Sequence, residues 1–257
     1  MIPKRIHQTW KTKTSNPSID VLRKTWIDHH PSFEYHYYDD IDIARFISKY
    51  FDERVQSTFK RIRNGSLKAD LFRYCVLYIC GGVYIDVDIS CIVPLTEVLC
   101  FEKEELVSAS DFQERDYQLP NNNYRLDTMY QAFLCAKPFH PFLKYMINYM
   151  CFVISKNLFK NDVFRIGGPE AFANCLDEFR KERLHINDRP FFKKKPYREA
   201  NNPLFNNEIT IVSHLHECEY LGYNRVIFAK CQHPLDRENN PHYHMNREKY
   251  IYTGLYD

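Results

Sequence analysis

The stretch from Leu67 to Asp88, LKADLFRYCVLYICGGVYIDVD, constrains this chain more than any other. Leu67, Leu71, Tyr74, Leu77 and Tyr78 fall on one apolar helix face. Gly81-Gly82 stops the helix, and a short apolar strand, Val83 to Val87, follows. That strand leaves into a loop through two aspartates at i and i+2, Asp86 and Asp88. On an ideal strand their side chains share a face, while Val87 points the other way into an apolar layer. Mg²⁺ and Mn²⁺ prefer oxygen ligands, so carboxylates at a strand end suit them. A metal so held carries phosphate oxygens, and the segment points to nucleotide chemistry. The D-x-D triplet alone is common in solvated loops. Its framing by Val83, Ile85, Val87 and Ile89 sets this one apart.

The rest of the chain alternates strands and helices. A first strand covers 4–9. Asn16-Pro17-Ser18 starts a helix that runs to about His29. A strand is expected over 33–38, then a helix capped by Asp40 and another from Asp52 to about Ile62. Ser66 is the expected cap of the helix ending at Cys80. Further on, strands are expected over 106–109, 128–136, 209–213 and 226–230. His140-Pro141 and Gly167-Gly168-Pro169 open helices. The polar segments 117–124 and 187–207 read as loops. This alternation predicts an α/β fold with a mostly parallel sheet, in which ligands bind beyond the carboxyl ends of strands. Trp10, Asp86 and Asp88 fall at such ends.

The length of 257 residues suits one domain, and a hydrophobic fraction of 44% supplies its core. A net charge of +2 gives no electrostatic case for a nucleic-acid partner, and Lys193-Lys194-Lys195 reads as a solvated loop. The 19 Tyr and 19 Phe fill a core and its rim, and tyrosine also suits carbohydrate. Nine cysteines without a C-x-x-C pair favour free thiols in a reducing compartment. Met1 leads directly into Pro3, Lys4 and Arg5, with no signal peptide, and no apolar run approaches a membrane span.

The segment 66–90 resembles the sugar-nucleotide signature of glycosyltransferase family 32, the group of yeast mannosyltransferases. It is more distantly similar to the glucosylating domain of the large clostridial toxins. Ile2-Pro3-Lys4-Arg5-Ile6-His7-Gln8-Thr9-Trp10 fits the opening of the same family. Residues 127–143 and 165–172 match more loosely, and the resemblance fades after about residue 180. It implies a GT-A type nucleotide-diphospho-sugar transferase fold, with a mostly parallel central sheet flanked by helices. It implies one catalytic domain over 1–257: a nucleotide-sugar half, 1–110, and an acceptor-side half with the C-terminal segment, 111–257. Many relatives carry a membrane anchor; without one, this chain is expected to be cytoplasmic.

The resemblance also assigns roles. Asp88 is the firmer metal ligand. Asp86 contacts ribose and donor sugar, with the metal reached through water. Asp70 and Arg73, at i and i+3 of the helix, go to sugar hydroxyls and diphosphate; taken alone they read as a surface ion pair. Trp10 stacks on the donor base unless it is a core residue, with His7, Gln8 and Thr9 beside it and Tyr84 as a pocket wall. Gln131 stands where the family usually has asparagine, near the donor anomeric carbon. His244, with His242 as the alternative and His214-Leu215-His216 as a competing pair, is expected to complete the metal site in place of the family's His-rich, Trp-containing end. His140 is read as a helix cap. The expected activity is a metal-dependent, retaining transfer of a hexose from a nucleoside diphosphate sugar to a hydroxyl on a glycan, lipid or protein. The ion is Mn²⁺ or Mg²⁺ and the donor is expected to be UDP-linked. GDP-mannose transfer and non-catalytic sugar-nucleotide binding are the alternatives, and a carboxylate-pair hydrolase is a further rival.

Overall fold

The computed structural model describes residues 1–97, 99–110, 123–124, 129–160, 162–184, 192–193, 210–216, 219–222 and 225–230. In chain order the elements are β1 (Arg5–Thr9), α1 (Pro17–His29), β2 (Glu34–Tyr38), α2 (Asp40–Tyr50), α3 (Glu53–Arg61), α4 (Gly65–Cys80), β3 (Gly82–Ile85), β4 (Ile89–Cys91) and β5 (Leu106–Ser110). Then come β6 (Asn123–Tyr124), β7 (Met129–Ala136), α5 (Pro141–Ser155), α6 (Val163–Ile166), α7 (Pro169–Leu184), β8 (Phe192–Lys193), β9 (Thr210–His216), β10 (Glu219–Gly222) and β11 (Arg225–Lys230).

Nine strands form one sheet in the order β2-β1-β3-β7-β5-β9-β10-β11-β4. The α/β class holds, but the sheet is mixed rather than mostly parallel. β1 runs parallel to β2 and β3, and β5 to β9. β7 is antiparallel to both of its neighbours, and β9, β10, β11 and β4 pair antiparallel in turn. The pattern of β7, apolar but for Gln131, carries no sign of its direction. The short β4 and β10 were not legible from the sequence.

Strand alternation splits the core in two. Val83, Ile85, Phe133 and Cys135 join Ile6 and Trp26 on one face. Tyr84, Leu134 and Ala136 turn to the other, against Leu71, Phe72 and Cys75 of α4 and Phe142 of α5. Helix starts follow side-chain chemistry. The Asn16 side chain caps α1, with Pro17 in the first turn. Asp39, not Asp40, caps α2 through a reciprocal capping box with Asp42. The cap of α4 is Asn64 rather than Ser66. The Asn64 Oδ1 accepts from the Leu67 N–H at 2.9 Å, while the Ser66 hydroxyl donates to the same oxygen at 2.6 Å. Among the described residues no helix is long and apolar enough to cross a membrane.

The reversal from α4 to β3 depends on two glycines with positive φ, Gly81 at 63° and Gly82 at 102°. A Cβ on Gly82 sits 2.5 Å from the Arg5 carbonyl oxygen, and one on Gly81 sits 2.8 Å from Pro3 Cδ. Gly82→Ala is therefore expected to cost at least about 2 kcal/mol, from about 1–3 kcal/mol each for strain and overpacking. At Gly65 an added Cβ meets nothing within 4 Å, and Gly65→Ala is expected within about 0.5 kcal/mol of wild type. Denaturant unfolding of the pair checks this; equal midpoints contradict it.

Candidate active site

The helix-turn-strand segment brings its own charged residues together. From Gly81 back to Arg73 the helix rises about 12 Å at 1.5 Å per residue. From Gly82 forward to Asp86 the strand advances about 13 Å at 3.3 Å per residue. With α4 folded back along β3, Arg73 and Asp86 come level at the carboxyl end of the strand. Arg73 Nη2 donates to Asp86 Oδ1 at 3.1 Å, and Nη1 donates to Asp70 Oδ1 at 2.6 Å. The guanidinium carbon lies 4.8 Å from the Tyr84 ring centre. Because β7 is antiparallel, its beginning reaches the same end, and Gln131 Nε2 donates to Asp70 Oδ1 at 3.1 Å. The Asp70–Arg73 pair is thus a buried ion pair, not a surface one.

Burial shifts these charges. Loss of hydration pushes the Asp70 carboxyl up to about 7, against the pull of Arg73 and with a further upward push from Asp86. Burial alone lowers the Arg73 guanidinium, but Asp86 and Asp70 outweigh it and hold the charge firmly. Three carboxyl groups, Asp70, Asp86 and Asp88, share this end of the sheet with that guanidinium.

The D-x-D triplet is not an extension of the strand. β3 ends at Ile85, and Val87 and Asp88 form a turn in which the Ile89 N–H reaches the Asp86 carbonyl at 3.3 Å. The expected facing survives: Val87 is buried and both aspartates are half-buried. Asp86 is held through its backbone N–H, its carbonyl and its carboxylate. Its N–H donates to the Ala132 carbonyl at 2.9 Å, its carbonyl accepts from Gln8 Nε2 at 3.3 Å, and Arg73 holds its carboxylate.

Residues of the opening motif have a different setting from the open contacts expected of them. His7 is buried between the Tyr38 hydroxyl, 3.1 Å from Nδ1, and the Gly81 carbonyl, 3.0 Å from Nε2. Burial lowers its pKa to about 3, so it is neutral at pH 7. Gln8 is buried, its amide spent on Tyr35 and Asp86. Thr9 Oγ1 and the Tyr84 hydroxyl share a hydrogen bond of 3.0 Å, and Tyr84 is wholly buried. These side chains meet the site by fixing Gly81, Asp86 and Tyr84. Trp10 differs: it is half-buried just beyond β1, its backbone N–H on the Tyr38 carbonyl, with Lys11 Nζ 5.9 Å from its ring centre. The core tryptophan is Trp26, fully buried with Nε1–H on the Ile89 carbonyl.

Gln131 is buried and engaged at both ends, since its Oε1 accepts from the Tyr74 hydroxyl. An amide so pinned does not reach openly towards a sugar. His140 is the N-cap of α5, as expected. Two residues were missed. Tyr35 donates to Gln8 Oε1 at 2.6 Å and accepts from Arg23 Nε at 3.0 Å. Tyr74 was read only as part of an apolar helix face. Alternation and helical periodicity report which face is buried, not which hydroxyl finds a partner, so no sequence signal marked either.

Among the described residues no group of three or more His, Cys, Asp or Glu gathers as a metal cage. His242 and His244 lie outside the described residues. Asp86 and Asp88 still offer the hard oxygen donors that suit a Mg²⁺-like ion, which keeps waters and takes its remaining ligands from substrate phosphates.

Comparison with known proteins agrees with this geometry. Residues 18–112 match the sequence model of the glycosyltransferase sugar-binding region containing DXD motif. Inositol phosphoceramide mannosyltransferase 3 of Schizosaccharomyces pombe is 38% identical over 93 residues, 35% of this chain and 25% of that protein. The initiation-specific alpha-1,6-mannosyltransferase of Candida albicans is 31% identical over 101 residues, 37% of this chain and 26% of that protein. The match thus spans about a quarter of each of these relatives. An uncharacterized glycosyltransferase of Acanthamoeba polyphaga mimivirus is 26% identical over 190 residues, covering 70% of this chain and 67% of that protein. The solved PaToxG glycosyltransferase superposes with a TM-score of 0.50 at 14% identity, covering 80% of this chain and 86% of that one. Residues 18–112 are thus similar to the sugar-binding region containing DXD motif, and the chain has a GT-A type α/β fold.

Proposed function

We propose that this chain is a metal-dependent glycosyltransferase that moves a hexose from a nucleoside diphosphate sugar to a hydroxyl acceptor. The observation that carries the reading is Arg73, buried between Asp70 and Asp86 at the carboxyl end of the sheet, inside the family-matched segment. In this reading Arg73 faces the charge that builds on the leaving diphosphate. Asp70 and Asp86 receive sugar and ribose hydroxyls, and Asp88 is the first metal ligand, with Asp86 and His244 as further ones. Tyr84 backs the pocket, while His7, Gln8, Thr9 and Gln131 hold its parts in place. A divalent ion, Mn²⁺ or Mg²⁺, when bound supplies charge neutralisation at the diphosphate.

The relatives named as mannosyltransferases favour a mannose donor over the UDP-hexose first expected. Retention of configuration is the favoured course, with the leaving phosphate taking the acceptor proton. An inverting route needs a general base; Glu170, an acidic residue that such a route could recruit, lies at the start of α7 with Arg165 Nε 3.5 Å from its carboxylate, an arrangement that suits a helix N-terminus. A thermal-shift panel with Mn²⁺ tests the reading, because a ligand at a hundred times its Kd stabilises by about 2.7 kcal/mol. GDP-mannose is expected to raise Tm more than UDP-glucose. No shift with any sugar nucleotide overturns the proposal, and a shift without turnover favours a non-catalytic binder.

In this reading Trp10, half-buried just beyond β1, stacks on the donor base. Trp10→Ala is expected to weaken nucleoside diphosphate binding by roughly 1–3 kcal/mol, the size of a base–aromatic stack, with little change in unfolding. Calorimetric titration decides, and unchanged affinity removes Trp10 from the site.

A further inference from the structure

The Tyr74 hydroxyl joins two parts of the molecule that are distant in sequence. Its ring is fully buried and stacks on Phe172 of α7, with centroids 6.1 Å apart. Its oxygen lies within bonding reach of Gln131 Oε1 and, at 3.0 Å, of the Gly167 carbonyl. Gly167 belongs to the turn between α6 and α7, and that turn is pressed against neighbours on two helices. A Cβ there collides with Met150 of α5 and sits 3.1 Å from Leu67 Cδ1 of α4. From this fixed point a continuous set of contacts leads to the charged site. Tyr74 meets Gln131, Gln131 donates to Asp70, and Arg73 joins Asp70 to Asp86.

The direction of the amide matters. A Gln131 side chain turned over sets Oε1 against the Asp70 carboxylate, acceptor against acceptor. Tyr74 has one hydroxyl proton for two acceptors; on Oε1 it holds the productive sense, with Nε2 towards Asp70, and the stacking of its ring on Phe172 keeps the tie to α7. Asp70 Oδ1 then accepts from both Gln131 Nε2 and Arg73 Nη1.

We propose that Tyr74 is a positioning residue that ties the turn opening α7 to the Asp70–Arg73–Asp86 cluster through Gln131, and so sets the aim of Arg73 at the donor diphosphate. This rests on the glycosyl-transfer reading above. Arg73 acts on charge that develops as the diphosphate leaves, so misaiming it lowers kcat more than it raises KM.

Tyr74→Phe keeps the ring and removes the link; Gln131→Met breaks the same link from the other side. In metal-dependent donor turnover each is expected to lower kcat about tenfold, the scale of a modest misplacement of a catalytic group, with donor KM within twofold. The double variant is expected to be no worse than the poorer single one, because both break one chain. Ile47→Val, a core change on α2, controls for general destabilisation and is expected to keep wild-type kcat. The Arg73 Nε–H resonance, assigned by ¹⁵N NMR, is expected to move in both variants and stay in place in the control. Wild-type kcat in folded Tyr74→Phe or Gln131→Met, losses that multiply, or an unmoved Arg73 resonance overturns the proposal. Absence of turnover in the wild-type protein strikes the glycosyl-transfer reading instead, and the resonance then decides the positioning link by itself.

Discussion

Arg73→Ala is expected to cost about 3–5 kcal/mol of stability, because it leaves Asp70 and Asp86 without the cation that joins them. Asp70 is buried, so hydration cannot replace the guanidinium. Lysine is a poor substitute: a single ammonium does not reproduce the fork that meets two carboxylates at once. Urea unfolding measures the effect, and a loss under about 1 kcal/mol removes Arg73 from its central place. The pH dependence has a definite sign. Asp70 titrates near 7 when folded against an ordinary 3.8, so the folded state binds its proton more tightly. Its contribution to stability is full below about pH 4 and is lost as pH rises towards 7. Without Arg73 the Asp70 pKa rises further, and the decline extends to higher pH.

Asp88→Ala is expected to abolish metal-dependent nucleotide binding while the fold survives. Asp88 lies in the turn after β3, half-buried, and forms no part of either hydrophobic cluster. A metal clamp on a departing diphosphate is worth several kcal/mol, so turnover should fall by a factor on the order of 10³. The pair of variants separates two roles at one site. On the proposed reading Arg73→Ala is expected to lower both stability and turnover, whereas Asp88→Ala is expected to act on metal-dependent binding. Circular dichroism with nucleotide calorimetry distinguishes them; unchanged Mn²⁺-dependent affinity in Asp88→Ala shows that the metal is held elsewhere.

What could be read from the sequence was local. Gly81-Gly82 marked the reversal, and the i, i+3 spacing placed Asp70 and Arg73 on one helix face. The helix starts at Asn16 and His140 were legible from cap chemistry. The cap of α4 was misread because Asn64 and Ser66 both suit the position, and only the hydrogen bond to the Leu67 N–H separates them. The direction of β7 was invisible, since an apolar run fits either pairing. That direction brings Gln131 beside Asp70. The opening motif drew attention to His7, Gln8 and Thr9, but whether a polar side chain faces a ligand or its own protein depends on tertiary partners. Their side-chain partners are Tyr38, Tyr35 and Tyr84, with the Gly81 and Asp86 carbonyls beside them.

Release of GDP from GDP-mannose, followed with Mn²⁺ and again after chelation by EDTA, tests the central claim most directly. The account predicts release that requires the ion, that is lost in Asp88→Ala and in Arg73→Ala, and that returns to wild-type protein when Mn²⁺ is restored. Release that persists undiminished in EDTA, or that Asp88→Ala leaves unchanged, contradicts it.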